Sequence, residues 1–177
     1  MLEIEAKILE IDRRKIEDAL VGMGARKSFE GNVETLFYDF RDGSIVKSRN
    51  VLRLRNENNH CVLTYKRVEG TRQAKRAEEY SVEISDQAML QKILESLGLV
   101  IIDSTNKHRI SYELKGAHFD IDRYLEKYRY IPEFLEIEAD SAKSIHKYAK
   151  ALGVEAKDCL AWSTAQVIEY YSQMKEK

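Results

Sequence analysis

The chain opens Glu3-Ile4-Glu5-Ala6-Lys7 after its first two residues. Side chains alternate faces along a β-strand, so Glu3, Glu5 and Lys7 share one face while Leu2, Ile4, Ala6 and Ile8 share the other. On a solvated face such a row is ordinary edge-strand decoration. Facing the inside of a closed sheet, two carboxylates and an ammonium form a site for a metal ion and a phosphate. The pentad alone leaves both readings open.

Rows of the same kind recur along the chain. Arg53 and Arg55 alternate with Leu52 and Leu54, and Lys66 lies in opposite parity to Leu63, Tyr65 and Arg67. Lys107 pairs in parity with Arg109, His118 with Asp120 and Asp122, and Glu136 with Glu138. Any single row is read most simply as a solvated face whose cross-strand ion pairs contribute little. The rows gain weight together. If helices cover the outer face of a sheet, the apolar parity meets the helices and the charged parity lines the interior. An interior carrying both signs is no hydrophobic core, because unpaired buried charge is prohibitively costly. It reads as a hydrated tunnel for a highly charged ligand together with cations. Guanidinium and ammonium rows suit a polyphosphate, and carboxylate pairs suit the hard ions Mg2+ or Mn2+. Both belong to metal-dependent phosphoryl chemistry, in which positioning and charge neutralisation carry most of the catalysis. Gly22, Gly24, Gly31 and Gly43 are not followed by the Gly-Lys-Ser/Thr ending of a Walker A loop.

The elements that position these rows follow from a weak internal repeat. EIEAKILEIDRRKIEDALVGMGA, YSVEISDQAMLQKILESLGLV and FLEIEADSAKSIHKYAKALGV each read as strand, Asp, helix, glycine. Asp12, Asp86 and Asp140 stand at helix N-cap or first-turn positions, and Gly24, Gly98 and Gly153 at C′ positions. Ile16, Leu20 and Met23, and again Leu90, Ile93, Leu94 and Leu97, form stripes at helical spacing and are expected to be core contacts. Strands are expected near 1–10, 33–40, 50–57, 60–68, 75–84, 100–112, 114–123 and 133–140. Asn56-Glu57-Asn58-Asn59 and Lys115-Gly116 supply hairpin turns. A last helix near 163–175 carries Val167, Tyr170, Tyr171 and Met174 on one side. The expected class is α+β: an eight-stranded antiparallel β-barrel with helices packed outside, forming one domain over residues 1–177.

Bulk properties bound the reading further. The 177 residues suit one domain with a sizeable core. Charged residues make up 33% yet nearly cancel, to a formal net charge of −1, which argues against a generic nucleic-acid coat. The N-terminal apolar run is broken by charge within a few residues, giving no membrane span or signal peptide. Cys61 and Cys159 lack metal-ligand spacing and read as buried free thiols in a reducing, cytoplasmic setting. One proline in the whole chain argues against disordered linkers.

The ordered set EIEAK, LRLR, LTYKR, AEEYSVEI, KHR, FDIDRY and FLEIEA resembles the CYTH superfamily, the triphosphate tunnel metalloenzymes that include class IV adenylyl cyclase and thiamine triphosphatase. The resemblance runs from Glu3 to the C-terminal helix. It implies an eight-stranded antiparallel tunnel that binds a triphosphate with Mg2+ or Mn2+. Carried residue by residue, it implies metal ligation by Glu3, Glu5, Glu136 and Glu138. It implies phosphate binding by Lys7, Arg53, Arg55, Lys66, Lys107 and Arg109, with Lys7 and Lys66 also assisting catalysis. Asp122 matches the family's acidic residue before the last strand. In AEEYSVEI, Glu79, Ser81 and Glu83 share one face and Arg76 and Glu78 the other, and Glu79 is favoured as the inward residue. Where the family has a short glycine-containing turn before the last Glu-x-Glu, this chain has the charged, tyrosine-rich segment Tyr124–Ile131, which reads as a solvated hairpin or a partner surface. That departure weighs against the cyclase without touching the triphosphate site.

The functional expectation is a metal-dependent phosphohydrolase acting on inorganic tripolyphosphate or a nucleoside or thiamine triphosphate. The alternatives are a class IV adenylyl cyclase making cyclic AMP and pyrophosphate, and a non-catalytic polyphosphate or nucleotide sensor. The expected partner is a small triphosphate, with no nucleic acid and no membrane, and with room left for a homodimer.

Overall fold

A computed structural model describes residues 4–71 and 74–175, the backbone alone over 68–71 and 74–77. The eight strands are β1 (Ile4–Ile8), β2 (Arg26–Phe40), β3 (Val51–Glu57), β4 (His60–Thr71), β5 (Ala74–Ile84), β6 (Leu99–Leu114), β7 (Ala117–Tyr124) and β8 (Phe134–Ala139). The helices are α1 (Arg13–Gly22), α2 (Ser44–Lys47), α3 (Gln87–Ser96), α4 (Ala142–Ala151) and α5 (Thr164–Lys175). The strands hydrogen-bond in the order β1-β8-β7-β6-β2-β3-β4-β5. The fold is therefore α+β with eight antiparallel strands, as the alternation of the sequence predicts. No described helix is long and apolar enough to cross a membrane.

Residue contacts group into two compact units, one of residues 32–106 and the other of residues 4–31 together with residues 107–175. The long strands β2 and β6 run through both. In the first unit the even residues of β3 and the odd residues of β4 form the apolar face. Leu54, Cys61 and Tyr38 pack there with Leu94 and Leu99, flanked by Leu52, Leu63, Tyr65 and Leu90. Asp39 is buried beside this core, and its carboxylate accepts from the amides of Phe40, Ile45 and Val46, which fixes the short turn of α2. In the second unit the apolar parity of β1, β6, β7 and β8 packs against Ile16 and Leu20 of α1 and Ile145 and Ala149 of α4. Helices α2 and α3 in the first unit, and α1 and α4 in the second, thus cover the apolar parity, and the charged parity forms the opposite face.

The local signals act as their chemistry requires. Asp12 and Asp86 cap α1 and α3 by accepting from the amides of Lys15 and Met89. Helix α1 closes in a Schellman motif, with Gly24 N donating to Val21 O and Ala25 N to Leu20 O, and Gly24 supplying φ +83°. The two expected hairpin turns carry positive φ at Asn58 and Asn59 and at Lys115 and Gly116.

Several expectations are corrected. Strand β2 begins at Arg26, seven residues before the expected start at 33. Its first half is polar and mostly exposed, so it carries no apolar alternation; Arg26 reaches Glu113 of β6 at 2.8 Å. Strand β1 stops at Ile8 because Glu10 turns the chain with φ +55°. The cap of α4 is Ser141, one residue after Asp140. In α3 only Leu94 is fully buried, while Ile93 and Leu97 are 48% and 66% exposed, because a single sheet contact covers a narrower arc than the apolar stripe. In α5, Val167 and Tyr171 are buried, whereas Tyr170 and Met174 lie exposed. Cys61 is buried as expected, but Cys159 is only partly so. The segment after Tyr124 is no solvated hairpin. Its one-turn 3₁₀ helix, Glu126–Tyr128, buries Tyr128 and Ile131 with Tyr124, Phe134, Val167 and Tyr171 in a third, aromatic core.

Candidate functional site

Strand register fixes which charges become neighbours. In the second unit, Glu5 lies opposite Glu138, which lies opposite His118; Lys7 lies opposite Glu136, which lies opposite Asp120. On the other side of β7, Asp120 faces Ser111, Asp122 faces Arg109, and Tyr124 faces Lys107. All these residues share the parity away from α1 and α4. One sheet face therefore carries Glu5, Asp120, Asp122, Glu136 and Glu138 against the fixed cations Lys7, Lys107 and Arg109.

The contacts on this face are dense. Lys7 is 1% exposed, and its Nζ lies 2.9 Å from Glu5 Oε1 and 3.3 Å from Glu136 Oε2. Arg109 donates from Nε to Asp122 Oδ1 and from Nη2 to Asp122 Oδ2, both at 2.7 Å, and its Nη1 meets Asp120. Lys107 Nζ also donates to Asp122, whose carboxylate is wholly buried. Asp120 accepts further from Ser111 Oγ at 2.6 Å and lies 2.9 Å from His118 Nε2.

Titration follows from these neighbours. Burial, reinforced by the charge of Glu136, raises the Glu5 carboxyl above its ordinary value. Burial alone would raise Glu136 as well, but Lys7, Arg109 and Lys107 hold it well below the usual carboxylate range. Asp122 behaves alike: burial is outweighed by Arg109 and Lys107, which lower it. Burial works against the Lys7 ammonium, yet Glu136 and Glu5 raise it on balance. The hydrogen bond to Asp120 raises His118. Burial, and then the charge of Asp122, raises the Tyr124 phenol.

The first unit presents a different face. Arg53 lies opposite Thr64, and Thr64 opposite Ser81; Arg55 lies opposite Val62, and Lys66 opposite Glu79. Glu79 meets Lys66 in an ion pair, with Arg53 Nη2 at 3.9 Å. Arg55 Nη1 is 3.6 Å from Glu57, and Thr64 Oγ1 and Ser81 Oγ are 3.0 Å apart. Arg53, Arg55, Glu57, His60, Val62, Thr64, Glu79 and Ser81 line a cavity of about 250 Å3. Arg55 Nε is buried and donates to no described group. Two guanidinium groups lining one cavity suit an anion that enters it.

Of the residues singled out in the sequence, Glu5, Lys7, Glu136, Glu138, Lys107, Arg109 and Asp122 share the face of the second unit. Arg53, Arg55, Lys66 and Glu79 share that of the first. Glu3 lies outside the described residues. Asp120, which the sequence places in a charged row with His118 and Asp122 but gives no site role, meets the far side of Arg109, and Ser111, which the sequence does not single out, donates to Asp120. Among the described residues, no three His, Cys, Asp or Glu side chains converge as preformed metal ligands. The donor set nonetheless fits a hard divalent ion. Glu5, Glu136 and Glu138 are oxygen donors on adjacent strands, carboxylates outnumber cations on the face, and the proximity of Glu136 already opposes ionisation of Glu5.

The chain belongs to the CYTH family, whose domain model matches residues 1–159. It is 26% identical over 155 residues to a Methanocaldococcus jannaschii protein named "Putative adenylate cyclase", an alignment covering 86% of this chain and 84% of that protein. Among solved structures, the PH1012 protein of Pyrococcus horikoshii superposes with a TM-score of 0.76 at 25% identity, covering 95% of this chain and 98% of that one. A Hippeastrum protein, described as a "Putative adenylyl cyclase" with a dominant triphosphatase activity, shares the fold with a TM-score of 0.66 at 16% identity, covering 96% of each chain.

Proposed function

We propose that this protein is a metal-dependent phosphohydrolase that cleaves a triphosphate. The observation that carries the reading is the cavity of about 250 Å3 that Arg53, Arg55 and Thr64 line together. Paired guanidinium groups match phosphate geometry better than they match any neutral ligand. Arg53, Arg55 and Lys66 bind phosphate oxygens, with Glu79 orienting Lys66 and Arg53. Lys107 and Arg109 are pre-oriented by Asp122. Three of the five guanidinium hydrogens of Arg109 are engaged by carboxylates, so its remaining donors can meet a phosphate without reorganisation.

Glu5, Glu136 and Glu138, with Glu3 added by the family resemblance alone, would hold Mg2+ or Mn2+, which supplies charge neutralisation at the phosphates. Lys7 stays charged between Glu5 and Glu136, positioned to offset negative charge that develops on phosphate oxygens. Lys66 can offset negative charge in the same way on the face of the first unit.

The second reading is ATP cyclisation to cyclic AMP and pyrophosphate, favoured by the name of the Methanocaldococcus relative. Hydrolysis and cyclisation use the same phosphate-binding groups and differ in whether water or the ribose 3′-oxygen meets phosphorus. Product analysis of ATP incubated with Mg2+ or Mn2+ separates them. ADP and phosphate are expected. Cyclic AMP with pyrophosphate would establish the cyclase, and intact nucleotide bound to folded protein would establish a sensor.

A further inference from the structure

The backbone of β1 is covered at one point by a segment that the functional reading leaves unused. Strand β1 ends the hydrogen-bonded order, so only one of its edges pairs with β8. On the other edge, Lys7 N donates to Leu160 O at 2.8 Å and Leu160 N donates to Lys7 O at 2.9 Å, an isolated antiparallel bridge. We infer that Leu160 is a positioning residue: its backbone pair with Lys7 pins β1 so that the Lys7 ammonium stays between Glu5 and Glu136. The inference rests on the proposed role of Lys7.

The geometry of an antiparallel ladder gives the reason. The N–H and C=O of one residue point to the same side of the strand, and successive residues alternate. Because both groups of Lys7 go to Leu160, Lys7 and its register partner Glu136 form a non-hydrogen-bonded pair across β1 and β8. In such pairs the Cα atoms approach to about 4.5 Å rather than about 5.5 Å, and the side chains come closer. This spacing accompanies the 3.3 Å approach of Lys7 Nζ to Glu136 Oε2. Without Leu160, the amide and carbonyl of a residue whose side chain is buried would lose both described partners. Unsatisfied backbone groups are costly enough that the strand would shift to recover them.

The segment that presents Leu160 is built to stay in place. Helix α5 starts with a reciprocal cap, Gln166 N donating to Ser163 Oγ at 3.3 Å and Ser163 N to Gln166 Oε1 at 3.0 Å. Its Tyr171 hydroxyl donates to Glu10 at 3.0 Å, three residues beyond Lys7, and Tyr130 and Ser172 share a 2.7 Å bond. Val167 and Tyr171 are buried in the aromatic core with Tyr124. The family match ends at residue 159, so the Leu160 pair on β1 and the Tyr171 contact to Glu10 lie outside the matched region.

Leu160→Pro removes the donor to Lys7 O while Leu160→Ala keeps both backbone groups. Cys159 has φ −82° and ψ 97°, outside the α region that a following proline disfavours. The readouts are kcat and KM for tripolyphosphate with Mn2+, and hydrogen exchange at the Lys7 amide. Leu160→Pro should lower kcat by about 10²-fold, the scale of a misplacement near 1 Å. KM should change little, because Arg53, Arg55 and Lys66 are untouched, and Leu160→Ala should restore turnover. A folded Leu160→Pro protein with wild-type kcat would overturn the inference. Should that variant fail to fold, the wild type decides: protection of the Lys7 amide matching that of Leu160 supports the pair, and exchange as fast as an unstructured amide refutes it. If the wild type turns over no triphosphate, the functional reading falls separately. The pinning of β1 then stands if Leu160→Pro speeds exchange at Lys7 with β7 and β8 still protected, and falls if exchange is unaltered.

Discussion

Arg109 grips Asp122 through two parallel hydrogen bonds of 2.7 Å, Nε to Oδ1 and Nη2 to Oδ2, and both side chains are buried. Removing one partner of a buried pair leaves an uncompensated charge, and here Asp122 also serves Lys107. Asp122→Ala should therefore destabilise the protein by about 3–5 kcal/mol, as breaking buried pairs does, measured by urea unfolding. A loss near the ~1 kcal/mol of an exposed pair would mean that the cluster is solvated in solution.

The same pair sets an acid limit. The folded-state pKa of Asp122 lies below its ordinary value, so its stabilisation is fully present above the unfolded value of about 3.9. It is lost as pH falls through the lowered folded value. Wild-type stability should drop below about pH 4 more steeply than that of Asp122→Ala, as followed by urea midpoints across the acid range. Parallel pH profiles would contradict the assignment.

Glu5 is the reverse case, since burial and Glu136 raise its pKa and ionisation at neutral pH works against the fold. Glu5→Gln keeps the volume but makes a poor ligand for a hard cation. Its melting temperature should stay near or above that of wild type while turnover falls steeply and the Mn2+ needed for half-maximal rate rises. A variant that melts much earlier yet keeps full activity would make Glu5 a structural ion-pair residue.

Arg53 and Arg55 stand two residues apart on β3, roughly 7 Å along the strand, and face one cavity. An anion that binds the native state raises its stability by mass action. Tripolyphosphate should raise the melting temperature at low salt, and Arg55→Ala should lose most of that shift. Arg55→Lys should recover only part, because it keeps the charge without the bidentate fork. An unchanged melting temperature across a wide ligand range would remove this row from the site.

Strand parity made much of this legible in the sequence. A period of two fixes which side chains share a face whatever the tertiary structure, so Glu5 with Lys7, Arg53 with Arg55 and Glu136 with Glu138 could be grouped before any contact was known. Hairpin turns were legible because Asn58, Asn59, Lys115 and Gly116 occupy positive φ. The first half of β2 was hidden, since Arg26 to Asn32 owe their strand to pairing with β6 rather than to apolar alternation. Register between distant strands is also absent from local sequence. The capture of Arg109 and Lys107 by Asp122, the part played by Asp120, and the bridge from Leu160 to Lys7 all depend on it. The tyrosines of Tyr124–Ile131 looked like surface because charges interleave them, yet Val167 and Tyr171 of α5 provide the core that buries Tyr128.

The most direct test is release of inorganic phosphate from tripolyphosphate by the purified full chain, with Mg2+ or Mn2+ and again with the metal chelated. Metal-dependent release, abolished by chelation and restored by added metal, is the expected result. Folded protein that leaves tripolyphosphate and the nucleoside and thiamine triphosphates intact over hours with either metal present would contradict the proposed hydrolysis.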